Sequence, residues 1–231
     1  MSRTLDAMTE SESSGVGTRG PGRRGRGVLV GAVALIVGPL QFLGWHLIAQ
    51  SAWRRPYSWS RNTISDLGNV RCGPWGDDHR YVCSPLHAWM NTSIGLQGAL
   101  LVLGMVLLRW ARVGPFASGG VATLLVVSGL GYLTVAFVPA DVNENVHLLA
   151  AVGVFLCGNG ALVLAGLRSR TAVPAARGAL LAGGLVGWGA AVMLFQLRYL
   201  GLGLGGMERV AVFPPLAVPV VAGLNLLTRR S

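Results

Sequence analysis

Six apolar runs, each about as long as a bilayer is thick, constrain this chain more than any motif in it. They cover approximately residues 28–49, 86–108, 116–138, 146–167, 178–198 and 210–227. A helix needs about 20 apolar residues to cross the hydrocarbon core. In lipid, every backbone polar group must be satisfied inside the protein, so only helices and closed barrels span. Runs of this length predict helices, and the expected fold class is all-α: a polytopic six-helix transmembrane bundle. Charged residues make up 12% of the chain, against about 25% in soluble domains, which argues against an ordinary soluble enzyme. The 34 glycines fit this class, because small residues let membrane helices approach closely. Gly183-Gly184 and Gly187 to Gly189 are expected on packing surfaces. No Walker sequence and no dinucleotide-binding glycine pattern follows a strand.

Charge then sets an orientation. All 19 basic residues are arginines. With a cytoplasmic N-terminus, twelve of them fall on the inner side with three acids, and seven fall outside with six acids. The short inner connections, 109–115 and 168–177, hold arginine and no acid. This is the positive-inside pattern, and it predicts a multi-pass plasma-membrane protein with both termini cytoplasmic. Residues 1–27 lack apolar periodicity and read as a disordered basic tail ahead of the six-span domain, 28–228. The run after Arg23, Arg24 and Arg26 is too long for a signal-peptide core. The basic tail reads as a topology signal with some attraction to anionic lipid; no nucleic-acid partner is expected.

That orientation puts all four histidines (His46, His79, His87, His147) and six acids on the outer half. The outer half also holds the one long connection, about 50–85. Long connections in compact proteins are often functional. Cys72 and Cys83 lie in it, where an oxidising exterior favours a disulfide closing a short loop. The rival is a metal set completed by His79 or His87, but the spacing matches no common zinc pattern. No cofactor or metal is therefore assigned. Cys157, inside the fourth run, reads as a small packing residue.

Three polar stretches carry the possible chemistry. The first runs from Tyr57 to Gly68, through Asn62, Ser65 and Asp66. Trp53, Tyr57 and Trp59 suit a headgroup region, Thr63 or Ser65 suits a cap, and Gly68 suits a positive φ. Alternatively, Ser65 and Asp66 belong to a polar pocket, with Ser65 a nucleophile if His87 or His147 stands near as base. The second stretch runs from Phe137 to His147. Pro139 ends the third helix, and Asp141 and His147 are either loop and interface residues or an acid–base pair. The third is Gly205 to Arg209, opening the sixth span. Glu208 and Arg209 are neighbours, so a helix turns them about 100° apart; each is expected to pair elsewhere, with Arg198, Asp66 and Asp141 as available partners. Pro214, Pro215 and Pro219 then predict a kinked span. In the second span, Asn91, Thr92, Ser93 and Gln97 are expected to hydrogen-bond between helices.

Together these stretches resemble the domain of unknown function 998, a family of six-span membrane proteins. The likeness rests on Tyr57-Ser58, on Asn62-Thr63-Ile64-Ser65-Asp66-Leu67-Gly68, on Phe137, Pro139, Asp141 and His147, and on Gly206-Met207-Glu208-Arg209. It covers residues 28–228 and implies an architecture without a reaction. The Ile64-Ser65-Asp66-Leu67-Gly68 core alone more weakly resembles eukaryotic multi-span proteins linked to GPI-anchor remodelling and autophagy. The chain departs from the alkaline ceramidase and adiponectin-receptor hydrolases by lacking their late His-x-x-x-His.

The expected function is a membrane protein that binds or organises lipid, or a partner, through an outer-face pocket. Asn62, Ser65, Asp66, His87, Asp141, His147, Glu208 and Arg209 are its candidate binding residues. The alternative is a lipid-modifying hydrolase or transferase with Ser65, Asp66, Asp141, His147 and Glu208 near the chemistry. A small transporter ranks third, because transporter sites favour the midplane and repeated broken helices.

Overall fold

The computed structural model describes residues 21–113, 118–168 and 174–228. Most of residues 1–27, the expected basic tail, lies outside the described residues, as do the arginines at 170, 229 and 230. Helix α1 spans Pro21–Ser51, α2 His87–Ala111, α3 Gly119–Phe137, α4 Glu144–Val152, α5 Gly158–Arg168, α6 Pro174–Phe195 and α7 Gly203–Thr228. A π-helical segment, Gly153–Cys157, joins α4 to α5. Together they make one span, Glu144–Arg168. Six helices are thus long and apolar enough to cross a membrane, and the expected all-α six-helix bundle is what forms.

Each span packs on the next in sequence, and α7 closes back on α1. Short links make neighbouring spans from α2 onward antiparallel, and the packing of α7 on α1 closes the bundle into a ring. Glycines lie where the backbones come closest. A Cβ on Gly98 of α2 would stand 2.5 Å from the Gly129 carbonyl of α3, and one on Gly184 of α6 would stand 2.8 Å from the Asn159 carbonyl of α5. Gly187 also packs on Asn159, as expected for that stretch, whereas Gly189 faces open space.

Boundaries differ most from the sequence reading at two helix starts. Helix α1 begins at Pro21, before the apolar run. Helix α7 begins at Gly203, seven residues ahead of the expected 210, so Glu208 and Arg209 lie about one and a half turns inside a span. Hydropathy marks where lipid-compatible residues begin, while the helix starts where its first turn finds hydrogen bonds. Here the Gly205 N–H donates to the Ser60 carbonyl at 2.8 Å. Helix α7 runs through Pro214, Pro215 and Pro219. In α2, Asn91 bonds the Gly68 carbonyl and Ser93 bonds Gln41 of α1, but Thr92 bonds back within its own helix.

The long connection, 52–86, is built. It holds a 3-10 turn, Ser65–Gly68, and a hairpin of β1 (Gly73–Trp75) and β2 (Arg80–Val82). The strands pair antiparallel with Gly73 opposite Val82 and Trp75 opposite Arg80. One step further out, Cys72 and Cys83 face each other and form the disulfide. The sequence reading had left this segment without regular structure. Three-residue strands are too short to show an alternating pattern.

Candidate functional site

The stretch Asn62 to Gly68 folds by local rules first. The Thr63 hydroxyl accepts the Asp66 N–H at 2.9 Å, and the Asp66 carboxylate accepts the Thr63 N–H at 3.1 Å. This is a reciprocal capping box with Asp in the acidic position. In a 3-10 turn, residues three apart share a face. Ile64 and Leu67 are buried in the core beside Phe42, Met90 and Met207. Among residues 62–69, Ser65 is the one that is not fully buried. Gly68 does not take a positive φ, contrary to expectation. It is needed for space, because a Cβ there would collide with Asn91 Oδ1.

Asp66 is 1% exposed and reaches the hairpin. Its two oxygens take Arg80 Nε at 2.8 Å and Nη2 at 2.7 Å. This is the paired fork that binds carboxylates most strongly. Arg80 also bonds Asp78 at 2.9 Å. Burial works against the Arg80 charge, but the hydrogen bonds and charges of Asp66, then Asp78, outweigh it and raise its pKa. Arg80 is thus held as a cation. Asn62 backs the cluster, donating to Asp66 at 3.3 Å.

Helix α7 supplies the other wall. Glu208 accepts the Ile64 N–H and, at 3.1 Å, a hydrogen bond from the Ser65 hydroxyl. Arg209, a third of a turn away, points to the loop instead. It reaches the carbonyls of Trp59 and Asn62, both at 2.9 Å, and the Tyr57 hydroxyl. Its guanidinium lies 4.8 Å from the Trp59 ring, within cation–π range. Tyr57 donates in turn to the Thr63 carbonyl at 2.7 Å. Burial, opposed by the charge of Arg209, pushes the Tyr57 pKa up, which keeps this hydroxyl a donor. The expected partners of Glu208 and Arg209 are therefore corrected. Arg80 takes Asp66, Arg209 binds carbonyl dipoles, and Glu208 binds the 3-10 turn.

His147 comes from α4. Its Nδ1 lies 2.9 Å from the Val138 carbonyl and its Nε2 lies 3.1 Å from Ser65 Oγ. Of the two readings of Asp141 and His147, the acid–base pair does not form: Asp141 accepts the Arg71 N–H at 2.7 Å. His87 is also displaced from the site: its ring bonds the Ser84 carbonyl and does not reach the cavity.

Ser65, Asp66, His147 and Glu208 line one cavity of about 590 Å³. Its roof is the hairpin, with Trp75, Asp77, Asp78 and Arg80; its apolar side is Leu148, Ala151, Phe155, Leu194 and Leu204. Sequence reasoning missed Arg80, Glu144, Tyr199 and this apolar side. Arg80 carried one usable signal, a basic residue beside Asp77 and Asp78 and between two cysteines. No group of three or more His, Cys, Asp or Glu residues suited to a metal ion occurs among the described residues. A neutral imidazole against a serine hydroxyl can take its proton; the carboxylates can accept hydrogen bonds; the apolar wall can hold hydrocarbon.

Fold and site define a multi-pass integral membrane protein with a polar pocket at one end of its bundle. Over residues 35–225 the chain matches the family described as Protein of unknown function (DUF998), and it belongs to that family. No curated protein and no solved structure matches it.

Proposed function

We propose that this protein holds a membrane lipid in the pocket beneath the hairpin, on the outer face of the plasma membrane, with both termini cytoplasmic. The cavity carries the reading. Its wall combines hydrogen-bonding groups, from Ser65, Asp66, His147 and Glu208, with hydrocarbon, from Leu148, Ala151, Phe155 and Leu194. That combination matches an amphiphile, and ligand sites generally combine an apolar lining with a few placed polar groups. The orientation rests on the arginine distribution, which puts the acid-rich connection outside.

Ala151 sits on the apolar wall and is 8% exposed. An Ala151→Phe variant fills part of the cavity with a ring and removes none of its hydrogen-bonding groups. Lipid co-purifying with wild type in mild detergent is expected to fall at least about tenfold in the variant, by mass spectrometry; each tenfold corresponds to about 1.4 kcal/mol. An unchanged lipid complement in a folded variant would remove the proposal.

A further inference from the structure

We infer that this pocket is also a reaction site: Ser65 is a nucleophile, His147 its general base, and the substrate a carboxylic ester of an amphiphile with an uncharged headgroup. The inference rests on the lipid-holding reading above and adds a reaction to it.

Three observations carry it. Ser65 is the half-buried member of an otherwise buried turn and lines the cavity. His147 Nε2 stands 3.1 Å from that Oγ, within reach for proton transfer. The other ring nitrogen fixes the tautomer. A carbonyl can only accept, so Nδ1, 2.9 Å from the Val138 oxygen, carries the hydrogen. A neutral ring then presents Nε2 as a free acceptor; the Ser65 proton, which in this structure is donated to Glu208 at 3.1 Å, turns to Nε2 for transfer. Nucleophile, base and a group that orients the base form the arrangement that activates serine on unrelated folds. Here a backbone carbonyl does the orienting.

The lining also selects the substrate. It carries five carboxyl groups, from Asp66, Asp77, Asp78, Glu144 and Glu208, against one arginine. Both Asp66 and Asp78 bind that arginine. An anionic headgroup would therefore meet like charge, and an uncharged ester would not. Beside Ser65 and His147 lies a second cavity of about 30 Å³, mostly apolar in its wall, with Ser65, His147, Glu208 and Tyr132 as its polar members. It is large enough for one water molecule.

The step balances as follows. Ser65 Oγ bonds the ester carbonyl carbon while its proton passes to His147 Nε2. The carbon–alkoxy bond breaks, and the leaving oxygen takes that proton as an alcohol. Water then adds to the acyl carbon, its proton passing to Nε2, and the Ser65–acyl bond breaks with that proton returned to Oγ. The products are one carboxylic acid and one alcohol per ester and water.

The test uses the full chain in detergent and a long-chain alkyl fluorophosphonate, an uncharged amphiphile. Ser65 Oγ bonds phosphorus, the phosphorus–fluorine bond breaks, and fluoride leaves as His147 takes the proton. One adduct is expected, mapped by peptide mass spectrometry to the segment containing Ser65. It should be absent in Ser65→Ala, and its rate should fall about 100-fold or more in His147→Gln. Hydrolysis of diacylglycerol should exceed that of phosphatidic acid at least about tenfold, because the extra charge meets the acidic lining. Wild-type protein that retains co-purified lipid yet forms no adduct at Ser65 overturns the reaction and leaves the lipid-holding reading standing. An adduct that forms equally in Ser65→Ala also overturns it. Protein with neither lipid nor adduct defeats both readings. Mapping the adduct on wild type keeps the test decisive even where a variant misfolds.

Discussion

Asp66 takes hydrogen bonds from the Thr63 N–H, the Asn62 amide and two nitrogens of Arg80, while almost wholly out of solvent. Such a pair is costly to bury and more costly to break from one side, about 3–5 kcal/mol. Asp66→Asn is therefore expected to destabilise the protein by about that amount, because Arg80 keeps a charge with a tenth of its side chain exposed. An Asp66→Leu/Arg80→Met double variant should recover at least half of the loss. Thermal unfolding in detergent checks both; a double variant as unstable as the single would refute the account. At this scale the sequence was legible in type and silent on partner. Asn62, Ser65, Asp66, His147 and Glu208 stood out because polar groups beside membrane spans need a reason. Nothing in the spacing of 14 residues between Asp66 and Arg80 announces a paired fork. A hairpin had to fold first.

The hairpin is the element that makes the pocket an enclosure. Trp75 to Asp78 roof the cavity, and the cross-strand disulfide closes the ribbon at its open end. On intact cells, a membrane-impermeant maleimide is expected to leave Cys72 and Cys83 unmodified, and to modify both after an impermeant reductant. Modification without reductant would contradict the disulfide. Protection that persists after reduction until the cells are lysed would contradict the outer placement of the loop. The helices were legible because length and hydropathy suffice for them. The hairpin was not, since its strands are three residues each and isolated hairpins of this size are marginal in water. Its stability comes from the disulfide and from Arg80 docking on Asp66.

As a whole, the bundle is held by close approaches between backbones, since lipid supplies little hydrophobic drive between helices. A Cβ at Gly184 would meet the Asn159 carbonyl and Val163 Cγ2, both at 2.8 Å, while one at Gly189 would meet nothing within 4 Å. Gly184→Val should therefore cost about 1–3 kcal/mol through overpacking. Gly189→Ala should stay within about 0.5 kcal/mol of wild type. Unfolding midpoints of the two variants measure the contrast, and equal effects would mean that α5 and α6 are not held as described. The same closure explains the site. Because the spans form a ring, the turn at Ser65, the start of α4 and the start of α7 meet at one end. Residues 65, 147 and 208 thereby come within hydrogen-bonding distance.

The sequence by itself determined that this chain spans a membrane with six helices, which stretches are polar, and that the two loop cysteines can pair. These follow from residue type, run length and neighbours along the chain. Tertiary structure decided which polar groups touch. It turned Asp141 and His87 away from the cavity, gave Asp66 to Arg80 and brought Ser65 between His147 and Glu208. Those choices depend on how helices rotate and where a hairpin folds over them, which is packing geometry that no local spacing encodes.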